Sequence, residues 1–459
     1  MPGRRRQMRG LWSTVALVVI LGGLYAYIRF DVAKQPNPQI SKEEKVLASV
    51  DSDQLDGLRI RTESGETTTL KKADGGWQVV EPIAAPADEA KVTAITSGLP
   101  SISLVRVVDE TPTDLESYGL AKPRIDVGFK TAAEKDYRHL LIGEKSPLGS
   151  DVFAMRSDEK RVVLISANWE PSFNASTFDL REKALLKFDH SKVDGIEVSA
   201  GGKLLQFAKN GRDWKLTRPL QARADYSAVE GLMGRLESKA KSFVTNDASP
   251  ADLKKYGLDT PEATLNLTVG SSKMTLLVGD KADDGAVYVR DGSKPAVMTA
   301  EGALADDLKK GVDDYRLKDV FEFHAFNASR LEVTRDGRTV VFERVKAEVN
   351  AADPDETADK WRLISPTPGD VDKNKMGNLL SKLEGLRALS FTASTAKTGL
   401  SSPAMTVLVK FDDGKKEERI TFGKTGTETY AAHSAEPGAA KIATAAFDDA
   451  VKALDEVSK

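Results

Sequence analysis

The 459-residue chain contains no cysteine. That excludes disulfides, a thiolate nucleophile, and cysteine-ligated zinc or iron–sulfur clusters. It names no compartment and is compatible with an oxidising one. Histidine is scarce and scattered: His139, His190, His324 and His433 form no H-x-x-x-H pair, so surface or capping roles are expected and no metal residue is assigned. Charge of one sign is also missing. The net charge is −3, which leaves no polybasic footprint and argues against nucleic acid as a partner. There is no G-x-S-x-G elbow to present a serine nucleophile.

Two local patterns resemble ligand loops and fail on inspection. Asp51-Ser-Asp53-Gln-Leu-Asp56-Gly57 has Leu55 and Thr62 where a calcium loop needs oxygen ligands and a bidentate Glu. Gly423-Lys-Thr425 resembles the end of a phosphate loop, but Glu418 stands where its first Gly belongs. Carboxylates are abundant and nothing selects a glycosidase-like pair. No catalytic, cofactor-binding or metal residue is therefore assigned, and a non-enzyme is expected.

What is present is ordinary globular material, 40% hydrophobic and 29% charged, at a length that suggests about three domains. The one long apolar run lies near the start. Residues 1–10 form a basic tail with Arg4, Arg5, Arg6 and Arg9, and residues 11–28 carry no charge. Taken over 11–30, the run would span about 30 Å as a helix, the thickness of a bilayer core. Trp12, Tyr25 and Tyr27 suit the two interfaces. No small-x-small cleavage pair follows, so an uncleaved single-pass anchor is expected, with its N-terminus cytoplasmic by the positive-inside rule. Residues 31–45, with Pro36 and Pro38, read as a tether.

A short signature then occurs three times: Trp77-Gln-Val-Val-Glu-Pro82, Trp214-Lys-Leu-Thr-Arg-Pro219 and Trp361-Arg-Leu-Ile-Ser-Pro366, each followed six residues later by Asp88, Asp225 or Asp372. Constant spacing repeated three times marks an internal repeat. Each copy opens with a strand, a turn and a second strand, and the Trp strand completes a meander. Alternation puts Trp77 with Val79, Trp214 with Leu216 and Trp361 with Leu363 on one face. The Asp stands where a helix N-cap is wanted, and an apolar stripe follows: Val92, Ile95, Leu99 and Ile102, then Val229, Leu232, Met233 and Leu236, then Met376, Leu379, Leu380, Leu383 and Leu386.

A second box reads Tyr118-Gly119-Leu120-x-x-Pro123 and Tyr256-Gly257-Leu258-x-x-Pro261. It weakens to Thr398-Gly399-Leu400-x-x-Pro403 in the third copy. A short helix stopped by Gly, with Pro just beyond, is the physical reading of the first two. Further strands end in Gly143, Gly279 and Gly423. Copies one and two close on Leu180-Arg-x-Lys183 and Tyr315-Arg-x-Lys318, whereas copy three ends in an amphipathic segment over 447–457 that suits the cap of an array.

The Trp-to-Trp period is 137 residues and then 147, the excess lying in an acidic hairpin extension at 347–359. Modules at 46–184, 185–320 and 321–459 follow, each long enough to bury its own core. The expected fold is α+β: a single N-terminal transmembrane helix, then three tandem repeats of antiparallel sheet plus helix. The repeated residues (Trp77, Trp214, Trp361; Pro82, Pro219, Pro366; Asp88, Asp225, Asp372; Gly119, Gly257, Gly399) are expected in structural roles. Aromatics on a sheet can also stack on sugar rings, but the aliphatic neighbours of the tryptophans favour a core. No repeated polar residue outside these roles is apparent.

At these boxes the chain resembles an uncharacterised bacterial family, domain of unknown function 4340. The cues are W-x-x-x-x-P-x5-D, Y-G-L-x-x-P and the L-R-x-K connector, and the likeness runs from residue 46 to the end, with a departure at Thr398. The resemblance implies a membrane-anchored protein and, by gene neighbourhood, association with ABC-type transport systems of the gliding-motility kind. It supplies no catalytic residues and no cofactor. The expected function is a non-enzymatic envelope protein on the bacterial cytoplasmic membrane. Most of its chain would be extracytoplasmic, serving as scaffold or accessory subunit of such a complex. A periplasmic glycan-binding module is the alternative and an envelope hydrolase the third reading.

Overall fold

The computed structural model describes residues 44–147, 149–345 and 359–458. The expected basic tail, anchor helix, nearly all of the tether, and the acidic extension up to residue 358 lie outside the described residues. Among the described residues no helix is long and apolar enough to cross a membrane. The chain divides into two compact units, Met1–Lys183 and Ala184–Lys459. The first carries one nine-stranded antiparallel sheet and the second carries two, all three with the same strand order.

In the first unit the strands are β1 (Leu55–Arg61), β2 (Thr67–Ala73), β3 (Gly76–Glu81), β4 (Ala85–Pro86), β5 (Arg106–Asp109), β6 (Ile125–Thr131), β7 (Arg138–Lys145), β8 (Asp151–Arg156) and β9 (Val162–Ser166). Their order is β4-β3-β2-β1-β6-β7-β8-β9-β5. The expected meander is thus one flank of a wider sheet, joined to the rest where β1 pairs with β6. Period-two patterning decides the faces: Leu58 and Ile60 are fully buried while Arg59 is exposed. Helix α1 (Glu89–Gly98) buries Val92 and Ile95 against this face.

The expected helical stripe of copy one overshoots. Pro100 lies at the second position of a 3-10 turn, Leu99–Ser101, that follows α1 directly. Leu99 and Ile102 are buried, but beyond the α-helix rather than within it, as expected where a proline cannot continue the helical ladder. The counterparts Tyr226–Leu236 and Lys373–Glu384 have no proline; the first buries all its expected residues, and the second buries Met376, Leu379, Leu380 and Leu383, while the expected Leu386 is buried just beyond its end.

Sequence reading also misses the helices that precede the connectors. Glu170–Phe173 and Thr177–Leu180 pack on α1, and Ala303–Leu308 and Val312–Tyr315 pack on Tyr226–Leu236. These segments are four to six residues long, too short for a periodic signal. In the third sheet their place beside Lys373–Glu384 is taken by one helix, Thr444–Val457, over the segment read as amphipathic.

The L-R-x-K connectors run beside the Pro-to-Asp segment. Asp88 N donates to the Leu180 carbonyl (2.9 Å) and Asp225 N to that of Tyr315 (2.8 Å). In the second unit the same connector serves two sheets. Its front half pairs Arg316 with Ala224, and its back half pairs Asp319 with Arg387. Ala388 N donates to Lys318 O (2.7 Å) and Val320 N to Leu386 O (3.0 Å).

Candidate functional site

The repeated boxes are absorbed by the fold. Trp77, Trp214 and Trp361 have relative exposures of 5%, 1% and 9%. Pro82, Pro219 and Pro366 each follow a cis peptide bond. Asp88, Asp225 and Asp372 are N-caps, accepting from the backbone of Lys91 (3.1 Å), Ala228 (2.9 Å) and both Asn374 and Lys375 (2.9 Å each), as a carboxylate at a helix start should. Gly119, Gly257 and Gly399 have φ of 67°, 66° and 73°, a region costly for residues with a Cβ. They meet the other repeated glycines at close range. A Cβ on Gly143, Gly279 or Gly423 would come within 2.1, 2.1 and 2.3 Å of the carbonyls of Tyr118, Tyr256 and Thr398. The two glycine boxes are therefore the two sides of one backbone contact.

One repeated polar position was not apparent from sequence. The residue paired across the hairpin from each box Trp is basic: Lys72 opposite Trp77, Lys209 opposite Trp214 and Arg344 opposite Trp361. Lys72 and Lys209 both precede their Trp by five residues, a signal that could have been found. The extension after Arg344 hides the third instance.

This basic residue lines a groove. In the second sheet the groove encloses about 650 Å³ between Ser191, Lys192, Asp194, Lys209, Arg212 and Tyr226. In the third, Phe326, Asn327, Ser329 and Arg344 occupy the places of Ser191, Lys192, Asp194 and Lys209, joined by Asp359, Asp412 and Asp413 around about 360 Å³. The frame is common and the lining is not. Lys209 lies 5.5 Å from the Trp214 ring centre, within cation–π range. Lys209 and Arg212 make no ion pair among the described residues. In the third sheet Arg344 donates to the Phe326 carbonyl (2.5 Å) and pairs with Asp359 (2.9 Å). In the first unit Lys72 reaches the corresponding carbonyl, that of Asp53, at 3.5 Å. Tyr226 and Phe326 are 53% and 74% exposed.

Behind the second groove runs a polar chain. Trp214 Nε1 donates to Glu230 Oε1 (2.9 Å), Glu230 Oε2 meets His190 Nε2 (2.7 Å), and His190 Nδ1 meets Glu237 Oε1 (2.9 Å). Burial opposes the imidazolium, but the two carboxylates outweigh it and raise the His190 pKa. Burial likewise opposes ionised Glu230, yet the hydrogen bonds from Trp214 and His190 hold its carboxyl below the ordinary range. The third sheet repeats the outer link: His324 Nδ1 meets Glu384 Oε1 (2.8 Å), and Glu237 and Glu384 each lie twelve residues beyond the cap Asp. His139 instead contacts Asp126 (2.7 Å), and His433 Nδ1 accepts from Ala435 N (3.1 Å).

Both ring nitrogens of His190 are occupied by carboxylates, and the Ser191 hydroxyl donates to Asp189 (2.6 Å), so no serine–histidine pair is set up. Among the described residues no group of three or more His, Asp or Glu side chains could hold a metal ion.

The family described as "Domain of unknown function (DUF4340)" matches residues 77–215 and again 214–403. No curated protein matches the chain. Among solved structures, the crystal structure of a DNA polymerase sliding clamp from Pseudomonas aeruginosa with ligand is similar at a TM-score of 0.15 and 10% identity, over 87% of this chain and 93% of that one. So low a score carries no argument.

Proposed function

This chain belongs to the family described as Domain of unknown function (DUF4340), and on that premise we propose that it is a membrane-anchored scaffold or accessory subunit of an envelope transport complex. It makes contacts rather than turning over a substrate. The observation that carries this reading is the groove beside the box tryptophan, whose frame recurs while its lining changes. In the second sheet it is lined by Lys192, Lys209 and Arg212 with Asp194, Asp213 and Tyr226; in the third by Arg344 with Asp359, Asp412, Asp413 and Phe326, so the balance shifts from basic to acidic. An active site duplicated with the fold is expected to leave the same reacting groups in each copy, whereas a duplicated contact surface can give each copy its own partner. The uncharged run over 11–28 behind four arginines supports a single-pass anchor in a bacterial cytoplasmic membrane, with the modules outside it. An ABC-type transporter as the partner rests on family resemblance alone.

Affinity purification of the intact protein from its native membrane tests this. Lys209→Glu with Arg212→Glu is expected to lose at least one co-purifying protein while the fold, followed by circular dichroism, is retained. Recovery of every partner by that variant, or saturable hydrolysis of peptidoglycan or an ester by residues 44–459, would overturn the reading. A second reading, glycan binding, is favoured by Tyr226 and Phe326, exposed aromatics in corresponding grooves. If Tyr226→Ala abolishes retention on a polysaccharide column and leaves the protein partners in place, that reading replaces the first.

A further inference from the structure

The first two sheets cover an edge that the third leaves open. In the first, the chain leaves the helix Thr177–Leu180 in an extended conformation, with Arg181 at φ −86° and ψ 149°. It then lies along β4: Asp88 N donates to Leu180 O (2.9 Å) and Glu182 N to Pro86 O (2.9 Å). In the second, Arg316 leaves Val312–Tyr315 in the same way, at φ −72° and ψ 140°. There Asp225 N donates to Tyr315 O (2.8 Å) and Leu317 N to Arg223 O (3.0 Å). Register identifies the same two groups in the third sheet. Gln78 pairs with Pro86, Lys215 with Arg223 and Arg362 with Asp370, so the counterparts are Asp370 O and the N–H of the cap residue Asp372. The helix that closes there, Thr444–Val457, is followed by Ser458 at φ −89° and ψ −4°, which stays helical. Neither Asp370 O nor Asp372 N has a partner among the described residues.

This edge is open to a partner. Asp370 and Asp372 are exposed, and Val371 is only partly buried, whereas its covered counterparts Ala87 and Ala224 are buried. Asp370 meets Arg362 at 3.4 Å, with both side chains more than half exposed. An unpaired strand edge is a template for an added strand, whose main chain supplies the hydrogen bonds. The covered edges show which chemistry suits it. In the first sheet Lys183 stands three residues beyond the accepting carbonyl of Leu180. Its Nζ donates to the last-turn carbonyls of Phe178 (3.1 Å) and Asp179 (2.8 Å) and lies 3.8 Å from Asp88 Oδ2. Asp372 likewise caps its helix through Oδ1, and its Oδ2 has no partner among the described residues. Val457 is buried as Leu180 and Tyr315 are, and the helix it closes brings the negative end of its dipole to the same place.

We propose that the edge over 369–372 accepts an extended, basic segment of a partner protein as an antiparallel strand. One carbonyl of that segment takes Asp372 N–H, the N–H two residues on meets Asp370 O, and a lysine or arginine one residue further reaches Asp372 Oδ2. This surface is separate from the groove beside the box tryptophan, so the two readings are tested apart. Asp370→benzoylphenylalanine in the intact protein, irradiated in its native membrane, is expected to give a protein adduct whose cross-linked fragment, mapped by mass spectrometry, carries a lysine or arginine within three residues of the link. A synthetic peptide of residues 180–185 is the competitor and should suppress the adduct saturably. N-methylation of the peptide at Glu182 removes the N–H that faces the edge, and should raise the half-suppressing concentration by about tenfold. N-methylation at Arg181, whose N–H points the other way, should leave it unchanged. No adduct, an adduct only with lipid or a second copy of this chain, or equal effects of the two methylations overturns the proposal. The protein with Lys209→Glu and Arg212→Glu should keep the adduct; its loss there would put the contact in the groove and overturn the edge.

Discussion

At the scale of single residues, the recurring box is a packing instruction. Trp214 is nearly inaccessible and its one polar atom is satisfied by Glu230, so Trp214→Ala is expected to cost about 3–5 kcal/mol in a denaturant melt. Asp225→Ala, a lost cap, should cost about 1 kcal/mol. His190 gives a prediction with a sign. Its folded pKa is raised, so its contribution to stability is complete below the unfolded value of about 6.5 and is lost as pH rises through the folded value. Glu230 is lowered, so its contribution is present above about 4.3 and is lost as pH falls through its folded value. The Tm difference between wild type and His190→Gln should therefore be larger at pH 5.5 than at pH 8.5. A difference that does not change with pH would remove this account. The box residues were legible in the sequence because cores and helix ends demand particular side chains at fixed spacing. Lys209 was legible only as a five-residue spacing to Trp214 that Lys72 and Trp77 share; Arg344 was not, because the extension at 347–359 separates it from Trp361.

At the scale of elements, the hairpin that carries the box explains how an extension is tolerated. Asn210 pairs with Asp213 across the turn Gly211-Arg212 in the second sheet, and Val345 pairs with Lys360 at the matching place in the third. The ladder is closed on the strand side before the extension begins, so deleting 348–358 should leave the third sheet folded. Its melt should stay within about 0.5 kcal/mol of wild type, as for other surface changes. A cooperative transition lost on deletion would show that the extension has a structural role. Meander strands and long helices could be read from period and caps, but the remaining strands only in part. The outermost, β4 and β5, have two and four residues, and such lengths leave no periodicity to detect. Pro100 was visible and its consequence is local: it ends a helix whose apolar stripe continues past it.

At the scale of the whole chain, the division at Lys183 and Ala184 predicts that fragments 44–183 and 184–459 are each soluble and melt cooperatively on their own. Two unfolded fragments from a parent that folds would show that neither core is sufficient. Within the second unit the connector at 315–320 gives its front half to one sheet and its back half to the next. That arrangement has a mechanical side. A pull along the connector's axis meets two isolated antiparallel bridges, each of two backbone hydrogen bonds, and the two bonds of a bridge share the load. Resistance to such a pull is set by the rate of unfolding, not by the equilibrium between folded and unfolded chain. A tether held at one end and tugged at the other would therefore stay taut here after its more exposed loops had straightened.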